Sequence, residues 1–190
     1  MTRTRDQAKY DSIVEASISL INKLGFDGIS ISKIAKKAKV SPATIYIYFA
    51  NKEDLFTKLY MDIRNKMGDG ALEGLEEGMN TEEMFKSIWY HSFKFNLQHP
   101  EHLTYREQFE KTTMMKKIKP SEFKLFQTID ELLKRGIREK IIKDHPLPIL
   151  TSFAYSPIIT LLNYHQAGII KMDEKNIVQA YEIAWNAIHS

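Results

Sequence analysis

Apolar residues recur along this chain at three- and four-residue intervals, which is the spacing of one face of an α-helix. Residues 6–24 carry Ile13, Ala16, Ile18, Leu20, Ile21 and Leu24, and Gly25 closes the segment as a C-terminal glycine does. Ser30 stands where an N-cap belongs, ahead of Ile31, Ile34, Ala35 and Ala38 on one face. Lys39-Val40 is a turn, and Ser41-Pro42 restarts a helix with a cap and then a proline at the first position, where its missing N–H costs nothing. Asn51 caps the next helix, with Asp54 three residues on as a capping-box-like partner, and Leu55, Leu59 and Ile63 run along it to about residue 67.

The remainder continues in the same period. Helices are expected over residues 81–98, from Pro100 through EHLTYREQFEKT, and from Pro120-Ser121 through Ile137. An apolar helix follows over 149–167, which Pro157 should kink, and a last one runs over 173–188. No alternating run of strand length and no internal repeat is present. The expected fold is all-α, with about nine helices. The glycine-rich, acidic stretch GDGALEGLEEG, residues 68–78, reads as a connector or a frayed helix end. The expected organisation is therefore a domain over 1–51, a linking helix over 52–67 and a second domain over 68–190.

The helix after Ser41 carries the chemistry. At about 100° per residue, Ile45 and Phe49 fall together and face the core, while Ala43, Thr44 and Ile47 point away. An outward isoleucine on a short helix needs a reason. A thymine methyl in the major groove supplies one, and Ala43 and Thr44 suit the same wall. Tyr46 and Tyr48 lie on the flanks, where their hydroxyls can reach phosphates. Lys52 sits in the first turn of the following helix, where a cation opposes the helix dipole, so an anionic partner such as phosphate is expected. Ser32, Lys33, Ser41 and Pro42 complete the candidate DNA-contacting set. Turn, caps, core positions and outward positions all agree on a helix-turn-helix.

Gly25-Phe26 followed by SISKIAKKAKVSPATIYIYFANKEDLF resembles the N-terminal DNA-binding domain of the TetR/AcrR family of bacterial transcriptional regulators. The matching residues are Ile34-Ala35, Ala38, Val40-Ser41, Thr44, Ile45-Tyr46, Tyr48-Phe49 and Asn51-Lys52-Glu53, within a stretch from about Tyr10 to Leu59. The later two-thirds of the chain agrees in length and helical character only. Lys39 departs from the pattern: it stands where the family usually has a glycine, at a position commonly left-handed. The resemblance implies a homodimer, double-stranded DNA as partner, and an effector held in a cavity of the second domain.

Charge sharpens this picture. Residues 1–67 hold 12 Lys+Arg against 7 Asp+Glu, a net of +5, whereas residues 68–190 hold 15 against 17, a net of −2. The basic part is the part with the helix-turn-helix, as phosphate binding requires. Arg3 and Arg5 precede the first helix on an arm that either touches DNA or stays solvated. There are no cysteines, which excludes disulfides, thiolate metal sites and cysteine catalysis and fits a cytoplasmic protein. No uninterrupted apolar run is long enough to cross a membrane, and the first residues, MTRTRDQAKYDS, lack the apolar core of a secretory leader.

Two features of the second domain bear on function. Aromatic residues are dense between Met84 and Phe126, with polar groups among them. Trp89, His91, Phe93, Tyr105, Phe109 and Phe126, with Tyr155 further on, are the candidate lining of an apolar effector cavity, although core packing competes for each one. The last two helices also carry much apolar surface. Phe153, Leu161, Tyr181, Trp185 and Ile188 are the candidate dimer interface, with core packing again the competing role. His99 and His102 flank Pro100, with Glu101 and Glu107 near, but the proline disturbs the helical spacing and no metal site is expected. No nucleophile–histidine–acid grouping and no phosphate loop is present, so neither an enzyme nor a cofactor is expected. The reading is a regulator, a repressor released from a palindromic operator by a small, mainly apolar or aromatic effector. An activator or ligand-independent co-regulator stands beside it, and a carrier or enzyme with a vestigial DNA head stands further off.

Overall fold

The computed structural model describes residues 5–190. Ten α-helical segments form among them: α1 Arg5–Leu24, α2 Ile31–Ala38, α3 Pro42–Tyr48, α4 Lys52–Leu72, α5 Thr81–Gln98, α6 Pro100–Glu110, α7 Lys124–Arg138, α8 Leu147–Ala154, α9 Ser156–Gln166 and α10 Glu174–Ile188. Short 3₁₀ turns lie at Thr113–Lys117 and Pro120–Glu122. With α8 and α9 taken as one interrupted helix there are nine, and the described residues hold no strand beyond a single bridge pairing of Ile142 with His189. Arg3 lies outside the described residues, and so does the side chain of Arg5.

The break between α8 and α9 has a local cause. Pro157 cannot donate to the helix ladder, so the chain turns at Tyr155 and restarts with proline in its first turn. The interruption leaves the Ala154 carbonyl without its helical donor. The buried indole of Trp89 supplies one, Nε1–H donating to Ala154 O at 3.1 Å.

The chain divides into two compact units. One comprises residues through Arg64 together with His99–Lys119, and the other comprises Asn65–Gln98 together with Pro120–Ser190. Residues 99–119, which the sequence reading grouped with the second domain, thus cluster with the N-terminal helices. The reason is an aromatic core. Phe26 stands edge-on to Phe56, Tyr105 and Phe109 at 5.0, 5.5 and 5.8 Å, and Tyr60 stacks on Phe109 at 4.3 Å. Tyr105 Oη donates to Phe56 O at 2.9 Å, and Asn22 Nδ2 donates to Glu101 O at 2.8 Å, tying α6 to α4 and to α1.

The second unit is built on α5, whose Phe85, Ile88, Trp89 and Phe93 are buried, as are Leu132, Leu133, Leu150, Ile158, Leu162, Tyr181 and Trp185 on α7 to α10. Asn80 and Glu83 cap its start reciprocally, each backbone N–H donating to the other's side chain at 2.9 Å. The glycine-rich stretch is more than a connector. Residues 68–72 are the last turn of α4, and a Cβ at Gly70 would collide with the Phe95 ring, as one at Gly74 would with His91.

Candidate functional site

The helix-turn-helix is held by caps at each joint. Ser30 Oγ accepts from Lys33 N at 3.3 Å, and Ser41 Oγ accepts from Thr44 N at 3.1 Å. Between them Lys39 adopts φ 57°, ψ 40°, the left-handed conformation expected at that position. Its N–H donates to Lys36 O, and Val40 N–H donates to Ala35 O at 3.0 Å, which closes α2 in a Schellman turn. At the far end, Asp54 N–H donates to Asn51 Oδ1 at 2.9 Å, and Asp54 Oδ2 accepts from Ala50 N at 2.8 Å. The Lys58 ammonium on Asp54, and then the Ala50 N–H, hold that carboxyl below the usual carboxylate range.

These joints set the faces of α3. Ile45 and Phe49 are buried, and Phe49 stacks on Tyr10 at 5.6 Å. Ile47 is 76% exposed and Tyr46 54%, while Ser41, Pro42 and Ala43 are exposed beside them. Ser32 and Lys33 are exposed on α2, although the Lys33 ammonium donates to Gly28 O at 2.8 Å. Thr44 is half-buried, its hydroxyl 2.9 Å from Ser41 Oγ. Tyr48 differs from its expected role on a phosphate. Its hydroxyl donates to Asp6 O at 3.2 Å and its ring meets Tyr10 edge-on, so it locks α3 onto α1. Lys52 is half-buried, its ammonium 5.6 Å from the Phe56 ring centroid, in a groove that Asp27 and Glu53 also line.

The expected effector residues separate. Tyr105 and Phe109 are instead buried in the aromatic core of the N-terminal unit. Trp89 is buried with its N–H committed to Ala154 O, which makes it a structural plug. Phe126 is half-buried on α7 beside Phe123. His91 and Phe93 do line an open groove of about 410 Å³ between α5 and α10, together with Tyr90, Lys94, Leu97 and Ile177. Behind Tyr90 the Tyr181 ring lies 5.2 Å away, and Phe85 stands between Tyr181 and Tyr155 at 6.1 and 5.3 Å. The Tyr155 and Tyr181 hydroxyls are buried without a hydrogen-bond partner among the described residues. Burial pushes both phenols up, Tyr181 to about 12.

The expected interface also needs correcting. Tyr181, Trp185 and Ile188 are buried on the inner face of α10, with Trp185 packed 4.9 Å from Phe85. Leu161 is half-buried. Phe153 is 61% exposed. The other large apolar residues left exposed in this unit are Ile149 on α8, Tyr164 on α9, Ile169 just after it, and Val178 and Ile183 on α10. An isoleucine between polar neighbours on an outer face, as Ile183 is between Glu182 and Asn186, was the signal that could have found this surface.

An all-helical chain with a capped helix-turn-helix and a basic N-terminal part defines a DNA-binding regulator. Residues 13–59 match the family described as bacterial regulatory proteins, tetR family, and residues 81–189 match the tetracyclin repressor-like C-terminal domain. The chain belongs to the TetR family of transcriptional regulators, whose members bind DNA and act as dimers. The fatty acid metabolism regulator protein of Bacillus subtilis is 32% identical over 127 residues, which span 66% of this chain and 61% of that regulator. An uncharacterized HTH-type transcriptional regulator of Haemophilus influenzae is 26% identical over 191 residues, covering 96% of this chain and 98% of its own. Among solved structures, a TetR family transcription regulator from Marinobacter aquaeolei VT8 superposes over 100% of both chains with a TM-score of 0.87 at 29% identity. No helix among the described residues is long and apolar enough to cross a membrane.

Proposed function

We propose that this chain is a homodimeric repressor that leaves a near-palindromic operator when a small, mainly apolar effector binds its second unit. Two copies of α3 enter successive major grooves about one helical turn apart. Ile47 and Ala43 face base edges, Tyr46 and Lys52 reach phosphates, and Thr44 stands at the edge of the reading surface. The exposed apolar residues Phe153, Val178 and Ile183 are the core of the subunit contact. For release, the effector binds the DNA-free state more tightly, and DNA then weakens the effector by the same factor.

The observation that carries effector binding is the pair of buried, unpartnered hydroxyls on Tyr155 and Tyr181, in the same unit as the groove that His91 and Phe93 line. A buried hydroxyl without a partner costs free energy that an acceptor on a bound molecule restores. An apolar body with one polar acceptor fits this arrangement. The similarity to a fatty acid metabolism regulator supports a chain-like ligand.

The test begins with selection of bound fragments from genomic DNA, followed by operator titrations with and without straight-chain fatty acids of increasing length. A palindromic site released by one chain length, with release lost in Tyr155→Phe and Tyr181→Phe, bears the proposal out. Operator binding that no apolar ligand changes leaves a ligand-independent regulator, and increased transcription on binding makes it an activator.

A further inference from the structure

The geometry points to a divalent transition-metal site formed by His99, Glu101 and His102 at the start of α6. Pro100, although it disturbs the helical spacing, creates the arrangement. It occupies the first turn of α6 and leaves His99 outside the helix at φ −128°, ψ 58°. From there the His99 imidazole lies nearly parallel to that of His102, with centroids 5.2 Å apart and planes 17° apart. His99 Nδ1 is 3.5 Å and His102 Nε2 is 3.8 Å from the same carboxylate oxygen, Glu101 Oε1, and the three ligand atoms lie within 4.8 Å of one another.

Those separations are close to what coordination needs. Tetrahedral zinc with bonds of about 2.0–2.1 Å places its ligand atoms about 3.3 Å apart. Small rotations of the half-exposed Glu101 and His99 side chains close the remaining gap. His102 is the fixed member, its side chain only 12% exposed. The main chain of Glu101 is also anchored, its carbonyl accepting from Asn22 Nδ2 on α1 at 2.8 Å. Two imidazoles and one carboxylate select zinc, cobalt or nickel over magnesium and calcium, which take oxygen ligands. Three protein ligands leave a fourth position for water. The positive end of the α6 dipole opposes a cation here, a small term beside three coordinate bonds, and the Glu101 charge offsets it.

The consequence is local. A bound ion clamps the residue before α6 to its first turn, and that turn is tied to α1, which packs on α2 of the helix-turn-helix. Binding to the folded chain alone raises its stability with metal concentration.

The test uses the full chain without a histidine tag, titrated with cobalt(II) and followed by visible absorption and calorimetry. One cobalt per chain is expected, with bands removed by EDTA and a melting temperature that rises with the metal. His99→Ala and Glu101→Gln each weaken binding by at least about tenfold, and His145→Ala, at an exposed histidine elsewhere, leaves it unchanged. Glu101→Gln alters only a half-exposed side chain and keeps the main-chain bond to Asn22, so it reports on coordination even where His102→Ala unfolds. A wild-type chain that takes up no cobalt at millimolar metal overturns the assignment. Binding undiminished in both Glu101→Gln and His99→Ala overturns it equally.

Discussion

Ile47 on α3 and Ile183 on α10 are both exposed isoleucines on outer helix faces, 76% and 72% open, yet sequence reasoning found only the first. On α3 the face was fixed by neighbours close in sequence. The caps at Ser41 and Asn51 limit the helix to two turns, and Ile45 and Phe49 occupy its inner side. On α10 the sequence points to Tyr181, Trp185 and Ile188 as a subunit contact, whereas they lie on the face that the unit's own core claims first. The lesson is an order of precedence. The largest apolar stripe of the helix goes to the intramolecular core, and only the apolar residues that remain outside it are available for an interface.

That ordering is tested most strongly by charging the two faces of α10. Trp185→Glu places a carboxylate against Phe85 inside the core, and a loss of more than about 4 kcal/mol in urea unfolding is expected. Ile183→Glu should leave the unfolding transition of the monomer nearly unchanged while sedimentation shows the dimer dissociating. A folded monomer from Trp185→Glu, or a wild-type dimer from Ile183→Glu, would reverse the faces.

The same contrast on α3 is smaller. Ile45→Ala empties a buried site and should cost about 2–5 kcal/mol of stability. Ile47→Ala should cost almost none and instead relax base preference at one or two positions per half-site, by about 1 kcal/mol or somewhat more. Binding selections on the two variants read this directly. Uniformly weaker binding of Ile47→Ala to every sequence would mean that Ile47 does not touch base edges.

The parts of the molecule that were legible are those governed by local chemistry. Ser30, Ser41 and Asn51 were identifiable as caps because a side-chain oxygen before an apolar-periodic run has one good use. The left-handed Lys39 was identifiable because the turn demands that conformation whatever residue fills it. The placement of Tyr105 and Phe109 was not legible, since their partners Phe26, Phe56 and Tyr60 lie some fifty to eighty residues away in the chain. Nor was the role of Trp89 in capping a carbonyl freed by Pro157, which only the break in the helix creates. The proximity of the His99 and His102 rings was not legible either, because helical spacing does not apply to a residue standing outside the helix.

Lys52 tests whether the basic N-terminal unit uses this cation on DNA or within itself. A phosphate contact predicts that Lys52→Ala weakens specific and non-specific binding alike and lowers the salt slope by about one. Its ammonium already lies against the Phe56 ring, in a groove shared with Asp27 and Glu53. An unchanged salt slope with a small loss of stability would assign it to those partners. A changed sequence preference would instead mean that it reads bases.

The smallest expected effect compares two lysines in the same backbone state, one in each unit. Lys39 ends α2 at φ 57° and Lys140 follows α7 at φ 59°. Both close a Schellman turn: Val40 N–H donates to Ala35 O at 3.0 Å, and Ile141 N–H donates to Gly136 O at 2.9 Å. A left-handed conformation costs a residue with a Cβ about 1–2 kcal/mol, and glycine removes that cost while losing roughly 0.5–1 kcal/mol more chain entropy on folding. Lys39→Gly and Lys140→Gly should therefore each stabilise the protein by about 1 kcal/mol or less, read as a shifted urea midpoint at constant slope. DNA binding separates them. Lys39 lies in the turn between the two helices of the DNA-binding motif, so its loss should also weaken operator binding and shallow the salt slope. Lys140 lies in the other unit and should leave both unchanged. Equal effects of the two substitutions on DNA binding would mean that Lys39 serves only the turn, and a loss of stability at either position would mean that the lysine side chain holds more there than its backbone costs.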